Sequence, residues 1–496
     1  MASTLHCSFF PFVKFLFCSS LLSILVSICF IEKSNALEGG KANSQLPHLH
    51  TLQISSLLPA SVCSHSTGSS KTQSTLKVFH RHGPCSKHTR QNPTTKPLLA
   101  DLLSYDQSRA KSIQARLNFN SNTDNIKTTT LNKNKFIDRK ANLPVQPGIS
   151  LGSGNYLVTI GLGTPTKTLS LIFDTGSDLT WTQCEPCARS CYTQKDPIFN
   201  PASSSSYSNI SCSSSQCSQL TSATGNDPAC SSTTCVYGIQ YGDQSFSKGF
   251  FSKDKLTISP TDVFPGFLFG CGQDNQGLFG RTSGLLGLGR DPLSVVSQTA
   301  AKYGRYFSYC LPSTSSSTGH LTFGKSSAGN AKFTPFASSQ GASFYFIEIT
   351  SIYIGGRQLS ISETIFKNSG TIIDSGTVIT RLPPTAYSTM SAAFKQLMKK
   401  YPSAPAYSIL DTCFDFSGYT SVSIPTVTFE FGGGVKVDLH PNGILVAIGK
   451  TQACLAFAGN GDDTDVGIFG NTQQKTLEVV YDVAGGKLGF GAGGCK

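Results

Sequence analysis

Charge is scarce in this chain: 14% of its 496 residues are Asp, Glu, Lys or Arg, against 39% hydrophobic. A chain of that length and composition buries sizeable cores in two or three domains. Methionine (3) and tryptophan (1) are rare, whereas there are 47 Gly, 33 Phe and 16 Tyr, a profile that favours β-strands and turns. Histidine is nearly missing from the main body, with only His320 and His440 beyond residue 142. The closely spaced Cys184, Cys187 and Cys191 therefore lack partners for zinc, and no metal or other cofactor is expected. No long apolar run follows the N-terminal one and no hydrophobic tail closes the chain, so a soluble product with no membrane partner is expected.

The run that is present, Phe9 to Ile31, carries Lys14 early and ends at Ser34-Asn35-Ala36. This pattern reads as a signal peptide over residues 1–36, cleaved after Ala36, and directs the product to the secretory pathway. Lacking Arg and strongly apolar, the segment fits a chloroplast transit peptide less well. Twelve of the 17 cysteines lie beyond residue 142. After a secretory leader an even set reads as six disulfides, with several pairings open on spacing alone.

The net charge of +12 is unevenly placed: up to Asn142 there are 17 Lys and Arg against 6 Asp and Glu, and beyond it 23 against 22. The basic character belongs to an N-terminal piece, residues 37–142, so stable nucleic-acid binding is not expected of the remainder. That piece is polar and holds six of the nine histidines. Within it, Leu98 to Leu117 has helix-like spacing through Leu99, Leu102, Leu103, Ile113 and Leu117, and Asn118 to Lys140 is linker-like.

From Leu151 the pattern changes to strands. Tyr156 to Pro165 alternates and ends in turn residues, and an apolar strand then delivers Ile172-Phe173-Asp174-Thr175-Gly176-Ser177. A Cys- and Ser-rich insertion, residues 184–235, has too few apolar residues to fold without staples, and its sequon at Asn209 marks a glycan site. Val236 to Ser245 reads as a hairpin, and Pro292 to Tyr303 as a short helix capped by Asp291. The order then repeats: Phe344 to Gly355 matches the strand at Tyr156, Ile372-Ile373-Asp374-Ser375-Gly376-Thr377 matches the first Asp run, and a helix is expected over Pro384 to Lys400. Val466 to Gly470 matches Gly284 to Gly287. An internal repeat of this length means two similar lobes joined near Pro335 to Ala342, with their Asp loops meeting between them.

Two carboxylates within hydrogen-bonding distance share one proton over an acidic range, supplying a base and an acid together. The paired DTGS and DSGT runs, each with a downstream hydrophobic-hydrophobic-Gly element, resemble the pepsin-like aspartic proteases, specifically the plant nepenthesin-like branch. The resemblance covers residues 150–496. It implies an all-β, two-lobed fold with pseudo-twofold symmetry and a few short helices, the lobes spanning 143–335 and 336–496. It also implies an aspartic endopeptidase that acts on polypeptides at acidic pH, made as a secreted monomeric zymogen for the apoplast or vacuole. By the same resemblance Asp174 and Asp374 are the catalytic pair, set in their turns by Gly176 and Gly376. Ser177 and Thr377 hydrogen-bond the outer carboxylate oxygens. Tyr241 is the flap tyrosine, held by Trp181.

The branch commonly reads Tyr-Gly-Asp-Gly-Ser in the flap, whereas this chain has Gln244 at the second glycine. The implied disulfides are Cys184–Cys187, Cys191–Cys271, Cys212–Cys235, Cys217–Cys230, Cys310–Cys495 and Cys413–Cys454. A basic prosegment over 37–142 is expected to lie across the acidic cleft and block it until acidification. Two other readings share the layout: an inactive binding relative of the xylanase-inhibitor type, and a DNA-binding protease of the chloroplast nucleoid type.

Overall fold

The computed structural model describes residues 46–58, 60–64, 74–87, 99–123 and 156–495, apart from 242–243, 278, 326–329 and 339–342. The leader, its cleavage site and the stretch 124–155 lie outside the described residues. The chain from His48 onward belongs to one compact unit. It is built from β-strands in two lobes, the fold class the sequence implied, with one element the sequence underestimated: helix α1, Leu99–Thr123, runs 25 residues.

Strands β1 (Leu49–Gln53) and β2 (Thr75–His80) come from the basic N-terminal piece, and both are woven into the body. β1 pairs antiparallel with Ser421–Pro425. β2 lies between Thr318–Phe323 and β3 (Tyr156–Leu162), with Val78 facing Gly319 and His80 facing Tyr156. Its alternation sends Leu76 and Val78 into the main core, as a half-buried strand requires. The same sheet continues through β4 (Lys167–Asp174) and β5 (Trp181–Gln183) into the first lobe. In the other direction it reaches Glu478–Asp482 and Lys487–Gly491 near the C-terminus, so β2 of the N-terminal piece shares a sheet with the last two strands of the second lobe. The hairpin expected at Val236–Ser245 is present as Thr234–Gln240 and Phe246–Ser259.

The expected helix at Pro384 is present as Pro384–Met398. The one at Pro292 divides into Val295–Gln298 and Ala300–Tyr303, and its N-cap is Ser294 rather than Asp291. Asp291 instead accepts from the Leu293 N–H at 2.9 Å.

Four of the implied disulfide pairings are corrected. The bonds observed are Cys184–Cys271, Cys187–Cys191, Cys212–Cys230 and Cys217–Cys235, while Cys310–Cys495 and Cys413–Cys454 are as expected. Strand register and burial explain the difference. β5 runs parallel to Asp262–Gln276 with Thr182 opposite Cys271, and the Cys184 N–H donates to Gly272 O, which brings Cys184 beside Cys271. Cys235 points inward to the buried Cys217, whereas Cys230 is exposed and meets Cys212. A seventh bond, Cys63–Cys85, staples the N-terminal piece. Asn209 is exposed on the two-residue strand Ser208–Asn209.

Candidate active site

The two Asp loops are built alike. β4 is buried from Leu169 through Asp174 and runs parallel to Gly284–Gly287, placing Gly287 opposite Asp174. In the second lobe Thr371–Ile373 runs parallel to Gly467–Phe469, and the Asp374 N–H donates to Phe469 O at 3.1 Å. The loops then lock reciprocally: Thr175 N–H donates to Ser375 Oγ (3.1 Å) and Ser375 N–H to Thr175 Oγ1 (2.9 Å). Gly176 and Gly376 each donate an N–H to Oδ1 of their own Asp at 3.0 Å. Glycine is required by close approach, since a Cβ on Gly376 would lie 2.4 Å from Asp174 Oδ1 and one on Gly176 2.8 Å from Asp374 Oδ1.

Thr377 donates to Asp374 Oδ2 at 2.6 Å, as expected. Ser177 stands in the matching place and helps to lower the Asp174 carboxyl, but less tightly than Thr377 does at Asp374: its hydroxyl and Asp174 Oδ2 are buried without a close hydrogen-bond partner among the described residues. The asymmetry accompanies a third charged group in the site, Arg109 of α1. Its Nη2 donates to Asp174 Oδ1 (2.7 Å) and Asp374 Oδ1 (3.0 Å), and its Nε to Asp374 Oδ2 (3.0 Å). Burial opposes ionisation of Asp174, but the Arg109 charge and the Gly176 N–H outweigh it and hold this carboxyl below its ordinary range. At Asp374 burial and the neighbouring Asp174 outweigh Arg109 and raise the carboxyl. The pair is thus electrically unequal, the condition for one member to act as base and the other as acid.

Sequence spacing located α1 through its leucines but missed its two working charges. Leu103, Asp106, Ala110, Ile113 and Leu117 recur every three or four residues and are all buried, with Arg109 beside them at 8% exposure. A charged residue on the apolar stripe of a helix needs a buried partner, and that was the available signal. Asp106 accepts from the Val378 and Ile379 N–H groups and from Arg381. Ala110, Ile113 and Leu117 pack on Phe344, Phe346, Ile372, Val466 and Ile468. Burial of Leu103, Ile113 and Leu117 stabilises this docking by about 1.5–3 kcal/mol each.

Trp181 is fully buried, and its Nε1 donates to Tyr241 Oη at 2.8 Å. Tyr241 packs edge-on against Phe279, which leaves it fixed at the hairpin tip. Gln244 has a φ of 64°, the left-handed region where glycine is free and a Cβ is strained. Beyond the dyad, Asp178 is buried, and desolvation pushes its carboxyl up to about 7 despite help from Ser343, the Asp291 N–H and Arg116.

Comparison with known proteins places these features in a family. The family models for the xylanase inhibitor N-terminal and C-terminal regions match residues 156–325 and 344–492. An Arabidopsis thaliana aspartyl protease family protein is 52% identical, covering 96% of this chain and 99% of its own length. The aspartyl protease AED1 of the same plant is 47% identical (96% and 97%). Aspartic proteinase nepenthesin-2 of Nepenthes gracilis is 38% identical (68% and 77%). The fold is shared with the basic 7S globulin of soybean, at a TM-score of 0.55 and 23% identity over 68% of this chain and 91% of that one.

Proposed function

The chain belongs to the pepsin-like aspartic proteases of plants, and on that premise we propose that it is an acid endopeptidase made as a secreted zymogen. In this reading residues 1–36 are the leader, 37–142 the prosegment, and 143–335 and 336–496 the lobes. A water between Asp174 and Asp374 loses a proton to the ionised carboxylate and attacks the peptide carbonyl. The protonated carboxyl stabilises the oxyanion and then serves the leaving amine. Tyr241, held by Trp181, covers the substrate.

One observation carries the reading: the Arg109 guanidinium occupies the space between the two carboxylates, where the water and scissile carbonyl belong. A chain that seals a complete dyad with its own cation has a dyad worth sealing. Seven disulfides among the described residues fit an oxidising compartment, and no helix of the described residues is long and apolar enough to cross a membrane. The xylanase-inhibitor reading draws on the names of the family models, but both Asp, Thr377, Tyr241 and Trp181 are retained. The near-neutral charge beyond residue 142 favours polypeptide over DNA as the partner.

The test is digestion of casein from pH 2 to 8 by the acid-treated chain and by its Asp174→Asn variant. Cleavage confined to acidic pH and lost in the variant is expected. Equal activity of the two proteins defeats the assignment.

A further inference from the structure

Asp106 sits in a ready-made carboxylate cradle. Its Oδ2 accepts from Arg381 Nη2 at 3.0 Å and from the Ile379 N–H at 3.1 Å, and its Oδ1 from the Val378 N–H. Both members of the ion pair are fully buried. Arg381 is fixed on the strand Thr380–Leu382, paired with Phe457–Gly459, and its Nη1 donates to Ile379 O at 2.9 Å. Its Nε is buried with no hydrogen-bond partner among the described residues. The cradle therefore belongs to the body of the protein, and only its occupant comes from α1.

Its position ties it to the dyad. Val378 and Ile379 directly follow Thr377, which hydrogen-bonds Asp374. Asp106 precedes Arg109 by three residues, a rise of roughly 4.5 Å along a helix. An extended peptide advances about 3.3 Å per residue, so a substrate lying where α1 lies presents a side chain to the cradle within about three residues of the scissile bond. Leu103, one turn further along α1, clusters with Ile379, Leu410, Ala456 and Ala458, so the cradle adjoins an apolar wall.

We propose that when α1 leaves, Arg381 and the Val378 and Ile379 amides form a specificity subsite for an Asp or Glu side chain of the substrate, for which Asp106 is the stand-in. The physical reason is that α1 cannot depart without uncovering a desolvated guanidinium and two aligned N–H donors. Together these reward a carboxylate and leave a neutral amide poorly matched. The inference rests on the proteolytic reading above and adds a substrate class to it.

The test uses processed protein and quenched peptides in which one Glu is walked over the three positions on either side of the cleaved bond, each paired with its Gln twin. At pH 5.5, where Glu is ionised, one position on one side is expected to favour Glu over Gln by about tenfold in kcat/KM, the worth of a charge-assisted hydrogen bond. At pH 3 the preference disappears in the same protein as the Glu is protonated, so this arm does not depend on a variant folding. Arg381→Met is expected to bring the Glu:Gln ratio near one, whatever its absolute rate. Ratios near one at every position in the wild type at pH 5.5 overturn the subsite while leaving the protease reading intact. If no peptide is cut, it is the catalytic reading that fails, and fluorescence anisotropy decides the subsite: tighter binding of a Glu peptide upholds it, equal binding overturns it.

Discussion

Arg109 grips Asp374 with two parallel hydrogen bonds, Nε to Oδ2 and Nη2 to Oδ1, each 3.0 Å long. Such a fork fixes orientation as well as charge. Truncating one partner of a buried charge pair costs at least about 2 kcal/mol. In Arg109→Ala the undocked state of α1 should therefore rise about 30-fold. Hydrolysis of a fluorogenic peptide at pH 5 by the uncleaved chain is the readout. An unchanged rate in a folded variant contradicts the plug assignment.

The N-terminal piece carries a second acid response. Burial beside Lys475 and Arg81 pushes His80 down to about 3, and burial with Arg81 and His80 lowers His82 as well. His80 also packs edge-on to Tyr156, and its Nδ1 accepts from the His82 N–H. Released histidines protonate near 6.5 while the docked ones resist, so docking is strongest above that pH and weakens as pH falls from about 6.5 toward 3. Asp174 acts lower: the Arg109 charge that α1 brings helps to depress its carboxyl, and this contribution to docking fades as pH drops through the lowered value, while Asp374, raised in the docked pair, acts in the opposite sense. The double variant His80→Asn, His82→Asn should shift the midpoint of prosegment release down by about half a pH unit or more. Release is followed by gel across pH 7 to 3, and an unmoved midpoint removes the histidines from the mechanism.

Asp178 sets a limit at the other end. Its carboxyl is raised to about 7, so the folded state holds a proton the unfolded chain gives up near 3.9. Stability attributable to this group falls as pH climbs from about 4 and is exhausted beyond about 7. Asp178→Asn keeps the shape without the charge and should raise Tm at pH 7.5 by several degrees relative to wild type, with little gain at pH 4. Parallel Tm curves for the two proteins from pH 4 to 7.5 would falsify this.

Gln244 balances two opposed effects. Relief of the left-handed strain favours Gln244→Gly by about 1 kcal/mol, and the extra freedom of an unfolded glycine offsets about 0.5–1 kcal/mol of that. Urea unfolding should shift by less than about 1 kcal/mol in this variant. In Gln244→Val the β-branch adds to the strain, and a loss of about 1–2 kcal/mol is expected.

Much of this was legible locally. Asp174 and Asp374 could be read from six-residue runs, because an apolar strand entering Asp-Thr/Ser-Gly is a short-range pattern and its repeat announces a second lobe. Trp181 and Tyr241 followed from the same resemblance, and the helix at Leu99 from its spacing. Where partners are brought together from afar, the sequence was silent or misleading. Cys217 could have paired with Cys230 or Cys235, and only the inward face of Thr234–Gln240 selects Cys235. Ser177 mirrors Thr377 in sequence, yet it sits less tightly on Asp174 than Thr377 does on Asp374.

The sequence by itself determined that two acidic turns exist, that each needs glycine, and that a basic piece precedes them. Tertiary structure alone decided which base meets the acids. Of the 17 Lys and Arg before residue 143, Arg109 is the one seen between the two carboxylates, because the stripe from Leu103 to Leu117 must bury itself against Ile379, Phe344 and Ile468. That burial turns Asp106 toward Arg381 and Arg109 toward the dyad. Charge gives the segment its attraction to the cleft, but the helical period, working against the shape of the second lobe, fixes which atoms touch.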